Sequence, residues 1–249
     1  MQPLSKAKLK LFSSLKTRKF RQREGMFMVE GWKMLSEAEQ ASWEIEAIVV
    51  REDVYKANAS LPFVVQEEKL FYLEDHPFNK LSSLNSPEGV LAILRTPDMP
   101  AWEHTLPNGR GFLLEQIQDP GNLGTLLRIA DWFGLEGICC SPGTVELFNP
   151  KTLRASMGAV FRVPVYESND WEQMLQHNKD RIWLADMEGK ALGPGIIEQD
   201  DWVLLGNEAN GVSEFARKLL ADRKLTIPRK GKAESLNAAI AGGIFAYWM

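Results

Sequence analysis

Two short apolar runs near the C-terminus, each followed by a polar loop and a helical pattern, constrain the fold most. Trp202-Val-Leu-Leu205 is bounded by acids and by Gly206 and reads as a buried strand. Leu225-Thr-Ile227 repeats the plan, with a polar loop from Pro228 to Glu234 and a helix opening at Ser235-Leu-Asn237. Units of this size serve as crossover connections in a parallel sheet. They set two strand ends against two helix starts at one sheet edge, where such sheets hold ligands. Gly206 has no Cβ, so a ligand can approach the backbone closely there.

The rest of the second half keeps the same rhythm. Gly111–Glu115 reads as a strand, Gln118–Asn122 as a loop, and Leu123–Phe133 as a helix with Gly134 as its C′ residue. Strands are expected at Ile138–Ser141 and Ile182–Ala185, helices at Lys151–Val160 and Trp171–His177, and an extended piece at Phe161–Tyr166. This alternation predicts a parallel sheet with helices on both faces. The first half has strand-like runs at Phe27–Gly31, Ile45–Val50, Leu61–Val65 and Gly89–Leu94, with a helical pattern at Trp32–Gln40. It reads as a small α/β domain. Thr96–Gly109 is rich in proline and polar residues, with Trp102 as a local packing anchor. The expected division is 1–98, a linker 99–110, and 111–249. The final helix, Ser235–Met249, is apolar nearly all round and should be covered, either by its own chain or by a second subunit.

The net charge of -4 excludes a wholly basic nucleic-acid binder, but the charge is segregated. From Lys6 to Arg23 there is no acid, while Lys16, Arg18, Lys19, Arg21 and Arg23 form a dense basic run. Such a run suits an RNA backbone, and a solvated basic helix is the alternative. The two cysteines, Cys139 and Cys140, are neighbours without metal-site spacing and read as buried thiols in a reducing cytoplasm. No metal is expected. No apolar run spans a membrane, and no apolar segment follows the basic N-terminus as a secretory signal requires.

Polar residues gather at the predicted sheet edge: Asn122, Arg128, Glu208, Ser235 and Asn237. Each has a plain alternative: Asn122 and Ser235 as helix caps, Arg128 as a surface partner of Asp131, Glu208 as a solvated acid, Asn237 as a turn residue. Gly206, Ile227 and Leu236 offer backbone and apolar walls suited to a flat heterocycle such as adenine. Asp119-Pro-Gly-Asn-Leu-Gly124 is neither a Walker A nor a dinucleotide fingerprint. His76, His104 and His177 lie outside these stretches, which weighs against a Ser-His-Asp hydrolase.

Three stretches resemble the motifs of the SpoU family of RNA ribose 2'-O-methyltransferases, in the SPOUT superfamily. They are Asp119-Pro-Gly-Asn-Leu-Gly-Thr-Leu-Leu-Arg128, Leu205-Gly-Asn-Glu-Ala-Asn-Gly211, and Ile227-Pro-Arg-Lys-Gly-Lys-Ala-Glu-Ser-Leu-Asn237. Lys16–Gly31 is similar to the start of the family's substrate-binding domain. The resemblance implies S-adenosylmethionine as cofactor, a homodimer and a deep C-terminal trefoil knot in the parallel-sheet domain. It implies a cofactor site made of Leu205, Gly206, Gly211, Ile227, Pro228, Leu236 and Ala238. Asn122, Arg128, Glu208, Ser235 and Asn237 become the catalytic and substrate-facing set, and ribosomal RNA is expected before transfer RNA. A non-catalytic RNA-binding protein of the same fold is the alternative. Arg229 stands where members usually carry methionine, Asn207 where serine is common, and Ala238-Ala239 where Val-Ser is usual.

Overall fold

The computed structural model describes residues 1–57, 66–98 and 105–249. The expected strand at Leu61–Val65, Trp102 and His104 lie outside them. In chain order the first elements are β1 (Gln2–Pro3), α1 (Lys6–Ser14), α2 (Arg18–Glu24), β2 (Met26–Glu30), α3 (Trp32–Gln40), β3 (Ile45–Arg51), α4 (Glu52–Ala57), β4 (Leu70–Leu73), α5 (Asp75–Leu81) and β5 (Val90–Arg95). Then come β6 (Gly111–Leu114), α6 (Pro120–Phe133), β7 (Gly137–Cys140), α7 (Pro150–Ser156), β8 (Val165–Glu167), α8 (Trp171–Asn178), β9 (Ile182–Ala191), β10 (Trp202–Leu205), α9 (Glu214–Leu219), β11 (Lys224–Thr226) and α10 (Ala238–Trp248).

The chain divides into two compact units. The first comprises Met1–Asp98 with Phe148–Phe161, the second Met99–Leu147 with Arg162–Met249. By packing, α7 and its flanks go with the first unit. Aromatic packing is the reason. Phe148 stacks on Phe27 with ring centroids 4.3 Å apart, and Phe161 meets Trp43 edge-on at 5.1 Å. The indole of Trp43 also donates to the Phe161 carbonyl at 3.2 Å.

The first unit is built on a mixed sheet in the order β1-β4-β3-β5-β2. β2 and β3 run antiparallel to β5, and β1 and β3 run parallel to β4. One face holds a core that includes Phe12, Leu15, Met26, Val49, Phe71, Phe78, Leu91 and Ile93.

The second unit carries a six-stranded, wholly parallel sheet in the order β11-β9-β10-β6-β7-β8. β6, β7 and β10 are buried at every residue, as continuous apolar runs demand when both sheet faces are covered. Trp171, Met174 and Leu175 of α8 and Ala216 of α9 join the core on one face with Leu113, Leu184 and Leu204. α6 and α10 pack on each other and α10 on β10. A Cβ added at Gly242 would meet the Leu126 side chain at 2.4 Å, so glycine sets how closely the two helices approach. Cys139 and Cys140 are free and buried. No helix among the described residues is long and apolar enough to cross a membrane.

Candidate active site

Three elements meet in one hydrogen-bonded chain. α6 starts earlier than expected, because the Asp119 carboxylate caps it, accepting from the Asn122 backbone N–H at 2.9 Å, with proline at the start of the helix. Asn122 is thus not the cap, and its side chain is released for other work. Its amide Nδ2 donates to Glu208 Oε1, and its Oδ1 accepts from Asn237 Nδ2 at 2.8 Å. The Oδ1 of Asn237 accepts in turn from the backbone of Ala239 and Ile240, so this residue caps α10. The helix therefore opens at Ala238 rather than Ser235. Residues from three distant parts of the sequence are fixed against one another by donors and acceptors of known direction.

The loop that presents Glu208 is held from within. Asn207 is buried; its Oδ1 accepts from the N–H groups of Ala209 and Asn210, and its Nδ2 donates to the Gln116 carbonyl at 2.8 Å. Its backbone exchanges two 2.9 Å hydrogen bonds with Gly211. A Cβ at Gly206 would lie 2.5 Å from the Gly211 carbonyl carbon. The space that glycine leaves is filled by the chain's own loop, where the sequence suggested room for a ligand.

Beside this chain lies a cavity of about 840 Å³, within the usual range for small-molecule pockets of about 300–1,000 Å³. Its apolar walls include Leu225, Ile227, Leu236 and Phe245, and its charged lining includes Asp186, Glu188, Arg229, Lys230 and Glu234. Of the expected cofactor residues, Ile227, Pro228 and Leu236 line it, as does Ser235. Leu205, Gly206, Gly211 and Ala238 are not among the lining residues. Leu205 is buried in the sheet, and Ala238 sits in the first turn of α10. Sequence reasoning missed the wall formed by residues 185–188. β9 runs on to Ala191, and its register with β11 jumps from Leu184 opposite Lys224 to Lys190 opposite Leu225. Only the pairing of two strands reveals such an irregularity.

Arg128 stands apart from the Glu208–Asn122–Asn237 chain. It is exposed and, among the described residues, has no hydrogen bond or ion pair. Glu208 and Asn237 both engage Asn122, and neither has a hydrogen bond or ion pair to Arg128. The alternative pairing with Asp131 is absent too, because Asp131 binds Arg162 at 2.8 Å. Arg128 shares its helix face with Thr125 and Trp132, and Trp132 is 84% exposed. α10 leaves Ile240 and Tyr247 exposed as well, so the described residues cover this helix only in part.

In the first unit the basic run separates into two kinds of residue. Arg21, expected to contact RNA, is 4% exposed and donates to the Leu15 carbonyl at the end of α1 at 2.7 Å. Lys16 donates to the carbonyls of Lys80 and Ser82 at 2.8 Å, closing the end of α5. Both cations satisfy orphan helix-end carbonyls. Arg23 pairs with Glu24 and lies over the Phe20 ring. Arg18 and Lys19 remain exposed and, among the described residues, unpartnered. No group of three His, Cys, Asp or Glu among the described residues could hold a metal ion.

Residues 110–247 match the SpoU rRNA methylase family, and residues 6–92 match the MRM3-like substrate binding domain. The chain is 30% identical to the 23S rRNA (guanosine(2553)-2'-O)-methyltransferase RlmP of Bacillus subtilis, over 96% of this chain and 94% of that one. Among solved structures it is similar to a TrmH-family protein from Porphyromonas gingivalis, with 31% identity, a TM-score of 0.83, and 98% and 97% of the two chains covered. An AdoMet-bound rRNA methyltransferase from Sinorhizobium meliloti superposes with a TM-score of 0.79 at 26% identity, over 99% and 96% of the chains. The α/β architecture and the parallel C-terminal sheet agree with these matches, and the chain belongs to the SpoU rRNA methylase family.

Proposed function

We propose that the chain methylates a ribose 2'-hydroxyl of RNA, ribosomal RNA first, with S-adenosylmethionine as donor. The hydrogen-bonded chain Glu208–Asn122–Asn237 carries the reading, since it locks three motif stretches together beside a cavity of suitable size. The relatives support the substrate class. One is a 23S rRNA guanosine methyltransferase, and a 28% identical protein from Streptomyces viridochromogenes is a 23S rRNA uridine 2'-O-methyltransferase. The Sinorhizobium structure supports the donor. The residues present fit that donor. Ile227, Leu236 and Phe245 provide apolar walls for a heterocycle, and charged groups line the same cavity for a polar tail.

S-adenosylmethionine supplies a methyl group already activated by its positive sulfur. The protein's task is then to hold a hydroxyl in line and to manage one proton. Asn122 has its oxygen engaged by Asn237 and one N–H by Glu208, which fixes the second N–H for an oxygen of the substrate. Arg128 keeps its proton at neutral pH, so it acts as a positioned cation, holding the target phosphate and stabilising charge that develops on the attacking oxygen. Its place on an exposed helix face beside Trp132, with Ile240 and Tyr247 of α10 also uncovered, supports action across a homodimer interface. The same reading includes the trefoil knot of the family. A reducing cytoplasm suits the free thiols.

The test is transfer of labelled methyl from S-adenosylmethionine to ribosomal RNA by the purified protein, followed by mapping of ribose methylation. Arg128→Ala and Arg128→Lys should each lose roughly 100-fold or more in rate. Wild-type methylation by either variant rejects the role given to Arg128, and no transfer to any RNA rejects the reading.

A further inference from the structure

The cavity carries charged groups of both signs that apolar binding of a nucleoside does not require. Asp186 is already paired with Arg217 at 3.2 Å. That leaves Glu188 and Glu234 as acids and Arg229 and Lys230 as cations around a common space. Arg229 differs from Lys230 in being tethered. Its Nη1 donates to the Ala233 carbonyl at 3.1 Å, closing the loop that forms one wall. A guanidinium has five N–H donors, so a single tether leaves most of the fork available at a fixed place. A tethered fork loses little freedom when it takes a carboxylate through two parallel hydrogen bonds.

We propose that Arg229 binds the carboxylate of the amino-acid tail of the methyl donor. This rests on the methyltransferase reading above and adds a residue to it. The donor is zwitterionic at that end, and its carboxylate would be repelled by Glu188 and Glu234 unless a cation fixes its position. Arg229 is the cavity cation whose direction the loop already sets. Its contribution is to affinity for the tail and not to the reacting atoms.

The experiment is calorimetry on the full chain with two probes, S-adenosylhomocysteine and 5'-methylthioadenosine. The probes share the adenosine and the thioether, but only the first has the amino-acid tail. Arg229→Gln keeps an N–H for the Ala233 carbonyl and removes the charge; Arg229→Lys keeps the charge and removes the fork. In Arg229→Gln, S-adenosylhomocysteine should bind roughly 10-fold more weakly, with 5'-methylthioadenosine unchanged. Arg229→Lys should lie between this variant and wild type. Equal weakening of both probes shows a merely structural loop contact and overturns the proposal. Unchanged binding of both overturns it as well, including when RNA affinity falls and assigns Arg229 to a phosphate. If wild type binds neither probe, the methyltransferase reading itself fails, a result distinct from the others.

Discussion

Asn122 shows how much one side chain can carry. Truncation to alanine removes the acceptor for Asn237 and the donor for Glu208 together. We expect Asn122→Ala to cost about 1–3 kcal/mol in stability, because partly buried polar partners are left unpaired. The rate should fall far more than that fold loss explains, by roughly 100-fold or more. Melting and methyl-transfer assays on the same sample separate the two. Arg128 gives the opposite pattern. With no partner among the described residues, Arg128→Ala should change stability by less than about 0.5 kcal/mol while transfer collapses. The cysteines make a pH prediction. Burial, with a smaller push from Glu167, raises the Cys139 thiol from 9.0 to about 12, and burial raises Cys140 well above its usual value. Above pH 9 the unfolded chain releases these protons and the folded chain keeps them. Stability should therefore fall as pH rises from about 9 to 12, by about 1.4 kcal/mol per pH unit for each thiol. Urea melts at pH 7.5 and 10 check it, and a Cys139→Ala Cys140→Ala protein should lose most of this slope.

At the scale of elements, Asn237 joins helix capping to the site. Asn237→Ser keeps a capping oxygen but is too short to reach Asn122, so melting should stay near wild type while activity drops. Asn237→Ala should also lose about 1 kcal/mol of stability. An equal loss of activity and stability in both variants would show that Asn237 serves only as the cap. Much of the second unit was legible because its strands are continuous apolar runs with a glycine at one end: Gly111 to Leu114 and Trp202 to Leu205 announce themselves. Helix starts were less legible. Asp119 with Pro120 after it was the stronger signal for α6, and Leu123 looked like a start only because apolar periodicity begins there. Ser235 looked like a cap, but Asn237 does the capping. The register jump in β9 could not be read, since nothing local distinguishes Asp186 or Glu188 from surface acids. Nor could Arg21 be told from its exposed neighbours, because its partner is a backbone carbonyl.

For the whole molecule, the uncovered residues of α6 and α10 decide whether one chain is a working unit. Trp132, Ile240 and Tyr247 leave large apolar surface to solvent. In the homodimer proposed above, a second copy covers this surface and brings an Arg128 to each site. On that proposal Trp132→Glu should shift the protein from dimer to monomer in sedimentation and remove activity, with Glu208, Asn122 and Asn237 left intact. A variant that remains dimeric and active would move the interface elsewhere. The division into two units has a further consequence for heredity and for dissection. The polypeptide leaves the first unit, builds β6 to β7, returns to contribute Phe148 through Phe161, and leaves again. A gene fragment starting at Gly111 would encode Phe148 without Phe27 to stack on, and Phe161 without Trp43. The halves are thus stitched twice, not strung once, so recombination at a single joint could not exchange one N-terminal half for another without also rewriting α7.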